Sequence, residues 1–178
     1  MQKIPFIAAL ILAAPLSANA SDGTITFSGK IIDSTCIIEA GGSKDFTVNL
    51  PSVSKASLAS TGAVSGRTPF TITLSGCGTG NVATYFEPGS TVDYDSGRLL
   101  NQTSPDAGGA TNVELQLLGS TSEFLPIKAG SPTQTNSQQV AVDRDGTAKL
   151  DYYAEYYATG AATPGDINTN VKYTIIYL

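Results

Sequence analysis

The chain contains no histidine. That removes Ser–His–Asp and Cys–His catalysis together with the commonest general base, and it leaves any zinc site without imidazole ligands. Cysteine is scarce: Cys36 and Cys77 stand alone, far apart, with no Cys-x-x-Cys spacing for a metal or redox pair. Charge is sparse and leans acidic, with 10 basic and 15 acidic side chains in 178 residues and a formal net charge of −5. The basic residues are scattered, which argues against nucleic acid, where a basic patch is required. After the first residues no apolar run is long enough to cross a bilayer, so membrane insertion is not expected.

What is present begins with a leader. Met1 to Ala20 has a basic start at Lys3, an apolar run from Ile4 to Ala14, and a small-residue end, Ala18-Asn19-Ala20. This is the layout of a secretory signal peptide, expected to be cut after Ala20. The net charge then falls to about −6 with the loss of Lys3, and residues 21–178 suit a single domain with a core of its own. In an exported chain, two cysteines read as a disulfide, Cys36–Cys77.

The rest is β in character: Thr, Ser, Gly, Val, Ile and Tyr abound, and turn residues separate short apolar runs. Alternation predicts strands at Gly23 to Ile38, Phe46 to Leu50 (stopped by Pro51), Phe70 to Leu74, Val82 to Glu87, Asn112 to Leu118, Ala148 to Thr159 and Asn170 to Leu178. A short helical turn is expected around Ala56 to Leu58. Strand number and spacing fit an all-β, immunoglobulin-like sandwich.

The two ends fit a closed sandwich poorly. Gly23, Ile25, Phe27, Gly29 and Ile31 share one parity of the opening stretch, opposite a polar face of Thr24, Thr26, Ser28 and Lys30. Such a strand is either the first of its own sandwich or one given to a neighbour. At the other end Val171, Tyr173, Ile175 and Tyr177 share a parity, and the chain stops at Leu178. A long apolar strand without a partner on one side is an aggregation hazard, so this strand is expected to border an unfilled slot.

Taken in order, these features resemble the pilin subunits of the chaperone–usher class, close to the type 1 fimbrial group. The resemblance rests on Gly23 to Ile32, on Cys36 and Cys77, on Tyr157 to Gly165, and on Gly165 standing fourteen residues from the end ahead of the penultimate Tyr177. Leu178 departs from it, being apolar where many relatives end on a polar residue. The resemblance implies an incomplete sandwich lacking its last strand, completed first by a periplasmic chaperone and then, at an outer-membrane usher, by the next subunit's extension. Donor-strand complementation of this kind is a stated case of β-strand addition. It implies a donor extension at residues 21–31, a pilin domain at 32–178, and a groove strand that includes Gly165, Val171, Tyr173, Ile175, Tyr177 and Leu178. Neighbouring pilins are the implied partners, a fimbrium on the cell surface the destination, and no cofactor is called for.

Chemistry-bearing alternatives are weaker. Asp93 with Asp95, and Asp143 with Asp145, lie in turn-like sequence where Asp bonds its own backbone. Asp143-Arg144-Asp145-Gly146 lacks the later ligands of a calcium loop. Tyr152, Tyr153, Tyr156 and Tyr157 suit either a sugar platform or a strand with rings on both faces. Asn101-Gln102-Thr103 matches a glycosylation acceptor. A closed, secreted carbohydrate-binding sandwich is the competing function.

Overall fold

A computed structural model describes residues 25–29, 36–39, 42–120 and 123–178. The chain divides into two units, Met1–Ile32 and Asp33–Leu178. In the first, residues 25–29 carry neither helix nor strand, and Ile25 and Phe27 are 80 % and 89 % exposed. Gly23 and Ile31 lie outside the described residues.

The second unit is built of β1 (Ile37–Ile38), β2 (Val64–Ser75), β3 (Asn81–Phe86), β4 (Leu99–Leu100), β5 (Val113–Gly119), β6 (Pro126–Ile127), β7 (Gln139–Ala141), β8 (Ala148–Ala158) and β9 (Tyr173–Tyr177). One sheet runs β1-β2-β8-β5-β4, with β6 also paired to β5, and the other runs β7-β3-β9. Every pairing is antiparallel. Alternation explains the layers. Ile72 and Leu74 of β2, Val82 and Phe86 of β3, Leu115 and Leu117 of β5, Leu150, Tyr152 and Ala154 of β8, and Ile175 of β9 meet in one core. The protein is an all-β, immunoglobulin-like sandwich.

Most of the expected strands recur, with informative differences; of Gly23 to Ile38, residues 25–29 carry no strand and Ile37–Ile38 forms β1. β2 starts six residues before Phe70, because a bulge between Ser65 and Thr68 bends it. Gly66 makes that bend, with φ +72° and Tyr156 and Val53 crowding the place a side chain would take. The helical turn appears as a 3₁₀ turn, Lys55–Leu58, capped by the Ser54 hydroxyl on the Ala56 amide at 3.2 Å. β4, β6 and β7 have only two or three residues each and leave no periodic signal in sequence. Phe46 to Leu50 is not a strand, and the last strand begins at Tyr173 rather than Asn170.

The tyrosines of β8 do serve both faces. Tyr152 is fully buried, edge-on to Phe86 at 5.2 Å, while Tyr153 meets Phe124 at 4.9 Å and Tyr157 lies under the Arg98 guanidinium at 3.5 Å on the outer face. Glu155, 2 % exposed on that outer face, is paired with Arg67 at 2.8 Å and takes a bond from the Gln116 amide at 3.0 Å. A buried carboxylate held on both oxygens is a structural group.

Candidate functional site

An open groove of about 810 Å³ runs between two chain segments. One wall is Lys44 to Leu50. Its alternation turns Phe46, Val48 and Leu50 inward and leaves Thr47 and Asn49 exposed. The other wall is Asn168 to Tyr173, and the floor is core: Ile72, Phe86, Leu99, Leu115, Leu117 and Ala154. An apolar core that opens into a groove is unusual, because a sandwich normally closes over it.

The physical reason lies in the backbone. Phe46 to Leu50 has strand patterning, but among the described residues no backbone hydrogen bond joins it to another segment. β9 pairs with β3 from Val82↔Tyr177 to Phe86↔Tyr173 and, among the described residues, has no strand on its other side. Patterning decides which face is apolar. A strand also needs a partner for its N–H and C=O groups. Among the described residues, Phe46 to Leu50 leaves such groups unmatched on one wall, and β9 has no strand along its side toward the groove.

Side chains hold the walls apart. The Tyr173 hydroxyl donates to the Lys44 carbonyl at 2.7 Å and closes one end. Phe46 sits 6.3 Å from the Tyr173 ring and 6.1 Å from Phe70. Burial, reinforced by the Asp45 charge, pushes the Tyr173 hydroxyl's pKa upward. The second wall is fastened by Asn101: its amide nitrogen donates to the Ala110 and Asp166 carbonyls at 3.0 and 2.9 Å, and its oxygen accepts from the Asn168 amide at 3.0 Å. Gln102 N–H donates to the Asn168 carbonyl at 2.7 Å. The amide whose sequence matches a glycosylation acceptor is thus spent on the wall. Thr169 Oγ1, which helps line the groove, is buried and unpartnered among the described residues.

Of the residues singled out in sequence, Val171 and Tyr173 line the groove, and Ile175 continues their face into the core. The Tyr177 hydroxyl accepts from the Cys36 amide at 2.8 Å. Cys36 and Cys77 are disulfide-bonded, with Cα atoms 4.3 Å apart. Leu178 is 64 % exposed and pairs with Asn81, its amide donating to the Asn81 carbonyl at 2.9 Å. Gly165 stands apart from the main groove, in a smaller cleft of about 340 Å³ lined by Val53, Leu58, Val113 and Ile167. There its backbone presses on another: a Cβ at Gly165 would lie 2.4 Å from the Ala110 nitrogen, beside the parallel bridge Gly109↔Asp166. The wall from Lys44 to Leu50 and the Asn101 fastening were not foreseen. The strict alternation of Phe46, Val48 and Leu50 was the one available signal for the wall.

The acids are turn acids. Asp93 takes the amides of Asp95 and Ser96 at 3.2 and 3.1 Å, and the Ser96 hydroxyl bond keeps its pKa low. Asp145 is held low in the same way by Thr147.

Known proteins of one family resemble this chain in sequence and fold. Residues 50–178 match the family described as Type-1 fimbrial protein, A. The chain is 66 % identical to the major fimbrial subunit SMF-1 of Stenotrophomonas maltophilia over 94 % of this chain and 99 % of that one. It is 47 % identical to the F17 fimbrial protein of Escherichia coli over 99 % of both. Among solved structures, a Burkholderia pseudomallei antigen and type I fimbria protein superposes with a TM-score of 0.54 at 27 % identity, covering 82 % of this chain and 91 % of that one. The P pilus rod subunit PapA gives 0.56 at 22 %, covering 87 % of this chain and all of the other. The chain belongs to the type-1 fimbrial protein family, whose members are structural subunits rather than enzymes.

Proposed function

We propose that residues 21–31, freed by removal of the leader at 1–20, are a donor strand that enters the groove of the next copy's 32–178 domain. The chain is a structural subunit of a cell-surface fimbrium, in a family that implies assembly by donor-strand exchange. The observation that carries the reading is the open groove: a patterned segment with no backbone partner among the described residues, Phe46 to Leu50, faces a wall that runs into the edge strand β9 across an exposed core. One added strand would supply hydrogen bonds to both walls and cover the floor. Ile25, Phe27 and Ile31 supply the apolar face, at about 1.5–3 kcal/mol for each large side chain fully buried. Gly23 and Gly29 suit positions with no room for a side chain. Val171 and the strand that carries Tyr173, Ile175 and Tyr177 form the receiving side, with Leu178 at its end; Gly165 holds the loop that leads into that wall.

An exposed apolar groove is hazardous until it is filled. A periplasmic chaperone that lends a strand, and an outer-membrane usher where the next subunit replaces it, meet that need. The likeness to a major fimbrial subunit favours self-donation, one copy to the next.

The test uses the exported chain with Phe27→Asp, which keeps its groove but cannot give its strand. Adding a peptide of residues 21–31 should raise its thermal midpoint strongly, with slow reversal. A chain already stable and unmoved by the peptide would mean a closed sandwich, and glycan binding would then be the reading to pursue.

A further inference from the structure

The small sheet has a second edge, and the backbone there is not left open. β7 has three residues and pairs with β3 only at Asn81, Val82 and Ala83. Thr84 to Phe86 extends beyond it. On that side the partners of β3 are side chains of the loop that precedes β7. The Phe86 amide donates to Gln134 Oε1 at 2.9 Å, and Gln134 Nε2 donates to the Phe86 carbonyl at 2.7 Å. The Gly130 amide shares that carbonyl at 2.9 Å, and the Ser137 hydroxyl donates to the Thr84 carbonyl. A carboxamide offers one acceptor and one donor at the spacing of a peptide group, so Gln134 stands where one residue of a paired strand would stand.

We infer that Gln134 is a specificity-determining edge guard, which closes this side of β3 so that strand addition has a single slot, the groove beside β9. The inference rests on the strand-addition reading. An unmatched N–H and C=O pair at the end of an apolar strand is a template for another chain, and a subunit that carries an exposed apolar donor is exposed to that error. The loop is pinned for the task. The Asn136 amide donates to the Pro126 carbonyl at 2.7 Å, Gln138 Oε1 accepts from the Asp151 amide, and Ser137 Oγ lies 3.2 Å from the Tyr152 hydroxyl. These bonds tie it to β6 and β8 of the other sheet.

Two substitutions separate guarding from mere support. Gln134→Leu removes both bonds and leaves an edge attractive to strands. Gln134→Lys removes the same pairing but sets a charge at the edge, the device edge strands commonly use against pairing. Each is made in the Phe27→Asp chain, with the 21–31 peptide in excess to occupy the groove, and its mass is followed by analytical ultracentrifugation. The parent and Gln134→Lys should sediment as single subunits, and Gln134→Leu as dimers or larger. Faster exchange of the Phe86 amide in both variants verifies that the bond is gone. A monomeric Gln134→Leu chain, or equal association of both variants, overturns the inference. Should the peptide fail to raise the thermal midpoint, the donor-strand reading fails by itself. The guard is still read from the difference between Leu and Lys, since all three chains then share the same β9 side and differ only at residue 134.

Discussion

The two edges of the small sheet cover the same core and are finished in opposite ways. On the β7 side, Gln134 and Ser137 meet the backbone of Thr84 and Phe86 with side-chain hydrogen bonds. On the β9 side, a five-residue strand and the wall from Asn168 to Lys172 border an 810 Å³ groove floored by Leu115, Leu117 and Phe86. Phe86 belongs to both, its backbone at one edge and its ring beneath the other. Apolar content therefore does not distinguish the edges. What distinguishes them is whether this chain supplies hydrogen-bond partners or leaves them to another, and a subunit that must join end to end needs one edge of each kind.

The largest expected effect breaks the open edge from the donor's side. On the donor-strand proposal, Phe27→Asp puts a carboxylate where the apolar groove would be filled, and an unpaired charge cannot be buried there. Fibre growth from that chain should fall below detection by electron microscopy, with the β signal of its circular dichroism retained. Normal fibres would remove the strand at 21–31 from the mechanism.

Next comes the tie behind the open edge. The Cys36–Cys77 bond closes a loop over a sequence separation of 41, for which chain entropy gives about 4 kcal/mol. Replacing both cysteines with alanine should cost about that much in denaturant melts. Cys36 also donates its amide to Tyr177 on β9, so the loss should raise amide exchange along β9 more than at Phe86 on the guarded side. An even rise at both edges would show that the disulfide stabilises the whole sandwich without favouring the open side.

The open edge was readable in sequence to the extent that it depends on alternation. The parity of Val171, Tyr173 and Ile175 marked a face that in the structure lines the groove and runs on into the core. The guarded edge was not readable. Gln134 lies in a loop of Ser, Pro, Thr, Gln and Asn whose composition signals only a turn, and its partner Phe86 is 48 residues away. The same holds for Asn101, whose sequence matched a glycan acceptor but whose amide fastens a wall that begins 67 residues on, at Asn168. Periodicity reports which face is buried. It is silent on which side chain will satisfy a distant backbone, and it overstated Phe46 to Leu50, where the pattern of a strand exists without a strand partner among the described residues.

A smaller effect concerns Gly165, which sequence grouped with the groove strand. Gly165→Ala would force its Cβ to 2.4 Å from the Ala110 nitrogen and 2.7 Å from the Gly108 carbonyl oxygen. The loop must shift, at about 1–3 kcal/mol for overpacking of this kind. The thermal midpoint should drop, and with it the order of the wall that follows, from Asp166 to Asn170. An unchanged midpoint would mean that the 108–110 loop yields freely.

The smallest effect is also the most selective, because each edge has its own tyrosine, Tyr152 fully buried and Tyr173 partly so. Burial raises the pKa of Tyr152, beneath the guard, and of Tyr173, at the end of the groove, where the Asp45 charge adds to the rise. Unfolded tyrosines ionise near 10.0. The unfolded state therefore releases these protons first as pH rises. The stability they contribute is complete below pH 10 and is lost as pH climbs through the folded pKa values. A strand that fills the groove takes further water from Tyr173 and none from Tyr152. With the 21–31 peptide bound, carbon NMR of the ring Cζ atoms should show the Tyr173 titration moving higher and the Tyr152 titration unmoved. If both move together, the sheet responds as one body. If neither moves, the strand leaves the Tyr173 end of the groove open to water, and its register must then lie toward Leu50 and the cleft at Gly165.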